Sequence, residues 1–168
     1  FDLEGARASL EKAVEVNPND ALAWARLAEL RAAFRDLDGS LEAAKKAVAI
    51  NPNLSRTQTV LGFAYLMQVD TDSARKAFKK AIAFDQADSL PRLGMGLAKF
   101  RDGEVEAGRA ELEVAASLDP NNSMNRSSLG KGLFEEKRGD RAEREFDIAQ
   151  ELDPNDPTPW YYDAIQMQ

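Results

Sequence analysis

Residues 55–86 read SRTQTVLGFAYLMQVDTDSARKAFKKAIAFDQ, and this stretch decides the fold. It divides into two helical halves at Val69-Asp70-Thr71-Asp72. The first half carries Leu61-Gly62 and Tyr65. The second carries Ala74, Phe78 and Ala81 at spacings of four and three, which puts them on one helix face. The layout returns in both directions at one fixed period. Pro18, Pro52, Pro120 and Pro154 stand on a 34-residue ladder, with Gln86 on the remaining rung. Proline ends one helix, because it lacks an N–H and disfavours the α conformation just before it. Asp20, Asp88, Asn122 and Asp156 then stand where a side chain can cap the next helix.

Other columns keep the same register. Small residues recur in the second helix at Ala6, Ser40, Ala74, Gly108 and Ala142. Eight places before each rung stands a bulky residue, Leu10, Phe78, Leu112 or Phe146, with Ala44 the exception. An alanine column runs through Ala13, Ala47, Ala81, Ala115 and Ala149. In the first helix, Trp24 and Trp160 share a slot, Leu27, Leu61, Met95 and Leu129 share the next, and Ala28, Gly62, Gly96, Gly130 and Ala164 the one after. Small residues at fixed places let helices approach, and bulky ones fill the space opposite.

This pattern resembles the tetratricopeptide repeat family: Trp, then Leu-Gly, then Tyr on helix A; Ala, an aromatic and Ala on helix B; then Pro. Trp24 with Leu27-Ala28, Leu61-Gly62 with Tyr65, Ala74 with Phe78 and Ala81, and Pro120 and Pro154 carry the match. The resemblance implies an all-α, right-handed α-solenoid of antiparallel helix pairs, with a concave face lined by the A helices. About ten helices are expected, at 2–16, 20–34, 38–50, 54–68, 71–84, 88–101, 104–118, 122–137, 140–152 and 157–167. They form a single array: a half repeat at 1–18, repeats at 21–52, 55–86, 89–120 and 123–154, and a half repeat at 157–168. Gly39 and Gly139 fall later in their units than Gly103 does, which predicts that the A helices before them run a turn longer. The frame opens at a B helix and closes inside an A helix, as in a piece of a longer chain. Leu3, Leu10 and Val14 at one end, and Trp160, Ile165 and Met167 at the other, then lose cover, and end-to-end homo-oligomers are expected.

Composition narrows the chemistry. The 168 residues are 43% hydrophobic and 30% charged, as in a soluble helix-rich chain. A formal charge of −7 argues against nucleic acid and against an anionic membrane surface. No apolar run approaches the roughly 18–20 residues that cross a bilayer, so direct membrane insertion is not expected. There is no Cys and no His, which removes thiolate chemistry, the commonest general base and a leading zinc ligand. Asp70 with Asp72, or Asp153 with Asp156, are too few and too close to turns for a metal or an acid–base pair. Gly94-Met95-Gly96 lies within a helix and cradles no phosphate. No catalytic residue, cofactor or metal is therefore expected. A cysteine-free chain suits cytoplasm or periplasm alike, and the tail LDPNDPTPWYYDAIQMQ resembles segments of large bacterial repeat proteins, some of them linked to the cell envelope.

The informative positions lie on the A-helix stripe beside the core stripe. They are Leu22, Ala25, Glu29, Ala32 and Ala33, then Arg56, Thr59, Phe63, Leu66 and Met67. Next come Leu90, Leu93, Leu97, Phe100 and Arg101, then Met124, Ser127, Lys131, Phe134 and Glu135, and last Thr158, Tyr161, Ile165 and Gln168. The middle of this stripe is apolar, with Leu66, Phe100 and Phe134 in one column and Phe63 and Leu97 beside it. It suits an apolar stripe of a partner peptide or helix, with Phe63, Leu97, Phe100 and Phe134 as anchors and Met67 and Met124 adding adaptability. The repeat columns, by contrast, read as core. Some family members hold an acidic chaperone tail in a clamp of Lys, Asn and Arg; the matching positions here are Ala25, Glu29, Val60, Leu90 and Gly94, none of which offers a donor to a carboxylate. Residues 135–156 carry nine acids against four bases, whereas Lys45, Lys46, Lys76, Lys79 and Lys80 make the middle B helices basic; both read as solvated outer faces. The expected function is a non-catalytic scaffold for a protein or peptide partner, with a structural, self-associating spacer in a larger bacterial protein as the alternative.

Overall fold

The computed structural model describes residues 2–166. Phe1, Met167 and Gln168, which the frame places at its two ends, lie outside the described residues. Ten helices follow one another, and no strand occurs among the described residues. They are α1 Leu3–Val16, α2 Ala21–Ala33, α3 Leu37–Ile50, α4 Ser55–Met67, α5 Thr71–Phe84, α6 Ser89–Arg101, α7 Val105–Leu118, α8 Ser123–Glu135, α9 Gly139–Leu152 and α10 Pro157–Gln166. The chain divides into two compact units, Phe1–Gln86 with α1–α5 and Ala87–Gln168 with α6–α10. In the first unit α2 pairs with α3 and α4 with α5, while α3 also packs on α4, and α1 rests on α2 alone. In the second, α6 pairs with α7 and α8 with α9, α7 also packs on α8, and α10 lies against α8 and α9.

The turns inside the pairs set the register. Two places beyond the ends of α2, α4, α6 and α8 stands a residue in the left-handed region: Arg35 (φ 64°), Val69 (φ 65°), Gly103 (φ 81°) and Lys137 (φ 59°), 34 residues apart. At each, the next amide reaches back to the last turn. Asp36 donates to the Arg31 carbonyl at 3.0 Å, Asp70 to Tyr65 at 3.0 Å, Glu104 to Lys99 at 2.9 Å and Arg138 to Leu133 at 2.9 Å. The longer A helices expected before Gly39 and Gly139 do not form: α2, α4, α6 and α8 have 13 residues each. Glycine is a misleading marker here. Only Gly103 takes the left-handed position, while Gly39 sits in the first turn of α3 and Gly139 opens α9. Asp20, Asp88, Asn122 and Asp156 accept hydrogen bonds from the first turns of α2, α6, α8 and α10, as their place after the rung predicts.

Within each pair, side-chain sizes compensate at the crossing. A Cβ on Gly62 would come within 2.5 Å of the Phe78 ring, one on Gly96 within 2.7 Å of Leu112, and one on Gly130 within 2.6 Å of Phe146. Where the B helix carries Ala44 instead, the A helix carries Ala28, and both are fully buried. The irregular Ala44 thus has its counterpart one helix away. Ala47, Ala81, Ala115 and Ala149 are fully buried beneath these crossings, whereas Ala13 is exposed because α1 packs only on α2. Leu3 of α1 and Trp160 and Ile165 of α10 are exposed as well, and Leu10 is half-buried. Val14 departs from the expectation of lost cover: it is buried, on the side of α1 that faces α2.

The slot shared by Trp24 and Trp160 has a further job. Trp24 Nε1 donates to the Pro18 carbonyl at 2.9 Å, Gln58 Nε2 to Pro52 at 2.7 Å and Arg126 Nε to Pro120 at 3.0 Å. Three unlike side chains close the same turn, because each brings an N–H to the carbonyl that a proline leaves at a helix end. Where Gln86 replaces proline, Arg92 reaches Glu111 at 2.8 Å while its Nε is buried without a partner among the described residues.

Two measurements test this account. Val69→Gly should raise stability by about 1 kcal/mol in denaturant unfolding, since a β-branched residue is costly at positive φ; no gain would mean that the turn tolerates Val69 without strain. Gly62→Ala should cost about 1–3 kcal/mol despite the better helix propensity of alanine. Phe78→Ala should cost about 3–5 kcal/mol, and the double variant, which recreates the Ala28–Ala44 pairing, should cost clearly less than the two together. Simple additivity would show that the crossing is not the coupling point.

Candidate binding cleft

The apolar stripe read from the sequence is placed unevenly by the fold. In the first unit, Leu66 is buried, Phe63 is half-buried with its ring edge-on to Phe78 at 5.0 Å, and Met67 alone of the three is exposed. The neighbouring stripe positions there are taken up by the structure itself. Arg56 of α4 pairs with Glu29 of α2, Thr59 is buried with its hydroxyl on the Ser55 carbonyl, and Ala25 is buried.

In the second unit, Leu93 is 1% exposed and belongs to the core with Leu112, Leu129, Leu133 and Phe146, so it does not reach a groove. Leu90, Leu97, Phe100 and Phe134 are half-buried and pack against that core. Phe100 is a wedge rather than an anchor: a Cβ on Gly108 of α7 would lie 2.7 Å from its ring, and one on Gly132 of α8 2.5 Å. Phe134 meets Tyr162 edge-on at 4.9 Å. The column is thus largely taken up by packing: Leu66 is buried, Phe100 lies against Gly108 and Gly132, and Phe134 lies against Tyr162. Arg101 is exposed at the end of α6.

One stretch of the stripe does open to solvent. A cleft of about 760 Å³ lies between α8 and α10, with Leu97 of α6 on its floor. One face of α8 lines it through Ser123, Met124, Ser127, Ser128 and Lys131. Thr158, Tyr161 and Tyr162 of α10 line the other side. Of the predicted stripe, Leu97, Met124, Ser127, Lys131, Thr158 and Tyr161 come together here. Met124 is 58% exposed and Tyr161 64%. The 34-residue frame sets these positions beside those of the first unit. The slots that hold Glu29 and Arg56 in the first unit hold Lys131 and Thr158 here, and threonine cannot close an ion pair. Among the described residues Lys131 has no ion-pair partner.

The α9–α10 loop forms the rim, which sequence reasoning did not foresee. Asp153, Asn155, Asp156 and Pro157 all line the cleft. The Asp153 carboxylate accepts from the Asn155 amide at 3.0 Å, and that of Asp156 accepts from the Thr158 amide at 2.9 Å. Each is thus held in place by the turn it belongs to. The repeated rung LDPND was the available signal, but it reads as turn chemistry and says nothing about which surface the turn borders. Tyr162 is buried, stacked on Phe146 at 5.0 Å, and Tyr161 stands edge-on to it at 5.4 Å. Burial, with the charges of Glu135 and Tyr161 adding, raises the Tyr162 phenol above its ordinary range, so it stays neutral. The hydroxyl of Ser127 is spent on the Ser123 carbonyl at 2.9 Å. Among the described residues no group of three or more acids could hold a metal ion. No helix of the described residues is long and apolar enough to cross a membrane.

The family model of the tetratricopeptide repeat matches residues 2–55. A thermophilic tetratricopeptide-repeat protein of Thermus thermophilus superposes with a TM-score of 0.87 over 99% of this chain and 91% of its own, at 24% identity. The chain carries a match to the tetratricopeptide repeat near its start and shares the fold of a tetratricopeptide-repeat protein along its length. The repeat architecture is shared with YrrB, described as having an unusual peptide-binding site (TM-score 0.67, 16% identity, 97% of this chain and 84% of that one). It is also shared with PilW, a type IV pilus biogenesis factor (TM-score 0.78, 21% identity, 90% and 70%). At these identities the likeness is one of fold. No curated protein matches the chain in sequence.

Two ion-pair clusters frame the second unit's repeats. Arg92 and Lys99 of α6 both reach Glu111 of α7 at 2.8 Å. Arg126 repeats the first contact 34 residues on, reaching Glu145 at 2.9 Å. Arg109, only 9% exposed, meets Glu136 at 2.8 Å and Glu113 at 2.7 Å, so part of the charge read as a solvated face is structural. Burial opposes ionisation of Glu111, but Lys99 and Arg92 outweigh it and hold the carboxyl below its ordinary 4.5. A depressed carboxylate stabilises the fold above its unfolded pKa and loses that contribution as pH falls through the folded value. Glu111→Gln should therefore lower Tm at pH 7, and its gap from the parent should close as pH falls through 4 and below. A pH-independent gap would trace the loss to packing.

Proposed function

We propose that the chain is a non-catalytic protein-interaction scaffold, and that it holds a peptide or helical segment of a partner in the α8–α10 cleft. The observation that carries this reading is the pair of large side chains, Met124 and Tyr161, standing exposed on opposite walls of an open cleft with Leu97 beneath them. Exposed apolar groups around a concavity favour a ligand that removes them from water, at about 25 cal/mol per Å². Leu97 and Lys131 of the predicted site line this cleft, while Phe100 and Phe134 are half-buried and pack against the core of the same unit. The repeat fold is in keeping with a scaffold, and YrrB offers a precedent for peptide binding on it.

The test is a selection of dodecapeptides from a random display library on the intact chain, followed by titration on the variant Met124→Ala with Tyr161→Ala. Both side chains are exposed, so Tm should be nearly unchanged. The selected peptides should bind the variant at least about tenfold more weakly, as loss of central apolar contacts requires. Peptides that bind parent and variant alike would overturn the assignment of the cleft.

A further inference from the structure

The charge of the chain is not shared between its two units. The first unit, residues 1–86, has twelve acids and twelve bases. The second, residues 87–168, has seventeen acids and ten bases, and so carries the whole formal charge of −7. The cleft lies in this second unit and repeats its bias. Asp153 and Asp156 stand on its rim, and Lys131 is the one base that lines it. Both carboxylates are fixed by hydrogen bonds to backbone amides of their own loop, so they are presented without side-chain ordering on binding. Beside them Tyr161 offers an exposed aromatic ring.

We infer that the cleft's occupant is a cationic segment, a peptide or helix in which an apolar side chain is flanked by Lys or Arg. The inference rests on the peptide-binding reading of the cleft and adds the chemistry of the partner. An apolar side chain fills the space between Met124 and Tyr161 over Leu97. Basic side chains meet Asp153 and Asp156, or lie over the Tyr161 ring, where the negative face of the aromatic attracts a cation. The net charge of the unit draws such a segment in, and repels an acidic one, over about a Debye length. Lys131 then fixes direction, repelling basic residues from the α8 side and leaving them to the loop side. Nucleic acid is disfavoured by the same field.

The dodecapeptides selected on the intact chain decide the matter. Those that lose binding on Met124→Ala with Tyr161→Ala should be enriched in Lys and Arg next to an aromatic or aliphatic residue. Their affinity should fall as salt rises from 50 to 300 mM. The variant Asp153→Asn with Asp156→Asn should weaken them about threefold to tenfold. Asparagine keeps both turn hydrogen bonds, so Tm serves as the control for folding. Lys131→Glu should tighten them. Cleft-dependent peptides that are neutral or acidic, or that bind Lys131→Glu more weakly, would overturn the cationic partner and leave the peptide-binding cleft standing. A selection that returns no cleft-dependent peptide would overturn both.

Discussion

Everything in this molecule depends on how closely two helices of a pair can approach. Helix axes draw together only where one side carries a hydrogen or a methyl group, and the space that remains is filled from the other side. Gly62 lies under Phe78, Gly96 under Leu112 and Gly130 under Phe146, while Ala28 and Ala44 stand in the same two slots as a pair of small, fully buried residues. The crossing therefore accepts different residue pairs, provided that no Cβ stands beneath a bulky side chain. It also explains why the alanine column beneath is buried in every complete pair. With the crossing set, the connecting turn has one geometry to satisfy. The backbone at Arg35, Val69 and Lys137 takes up the positive φ that glycine alone accepts without cost.

The same logic decides which apolar residues are free to bind. Small residues on α7 and α8 pull Phe100 between them, and Phe134 is drawn onto Tyr162. With those rings largely covered, the stripe is open only at positions where no neighbour closes over it. In the first unit the Arg56–Glu29 pair and the buried Thr59 occupy those positions. Between α8 and α10 nothing equivalent does, and the cleft is what remains.

Electrostatics follow the same division. Neutral donors such as Trp24 and Gln58 close turns in the first unit. Arg126 does so in the second and also pairs with Glu145, as Arg92 pairs with Glu111. Charged pairs that are partly buried hold their geometry more firmly than exposed ones, and they leave the surplus acids of the second unit to face outward.

Much of this was legible in the residues themselves. The period, the ten helices to within a residue or two, the caps at Asp20, Asp88, Asn122 and Asp156, and the candidate stripe all follow from local chemistry repeated in one frame, and local chemistry needs no knowledge of neighbours in space. Four things needed the tertiary structure. One was the helix ends before Gly39 and Gly139, where the left-handed residue and not the glycine marks the stop. Another was the burial of Leu93 and Leu66, since a stripe position faces solvent or a neighbour according to the size of side chains two helices away. The third was the rim of Asp153 and Asp156, contributed by a loop whose sequence specifies only its own turn. The last was the cleft itself, whose lining is brought together from α6, α8, the α9–α10 loop and α10. Local hydrogen bonding and periodicity act along the chain, whereas exposure is decided across it, by side chains that the sequence sets far apart.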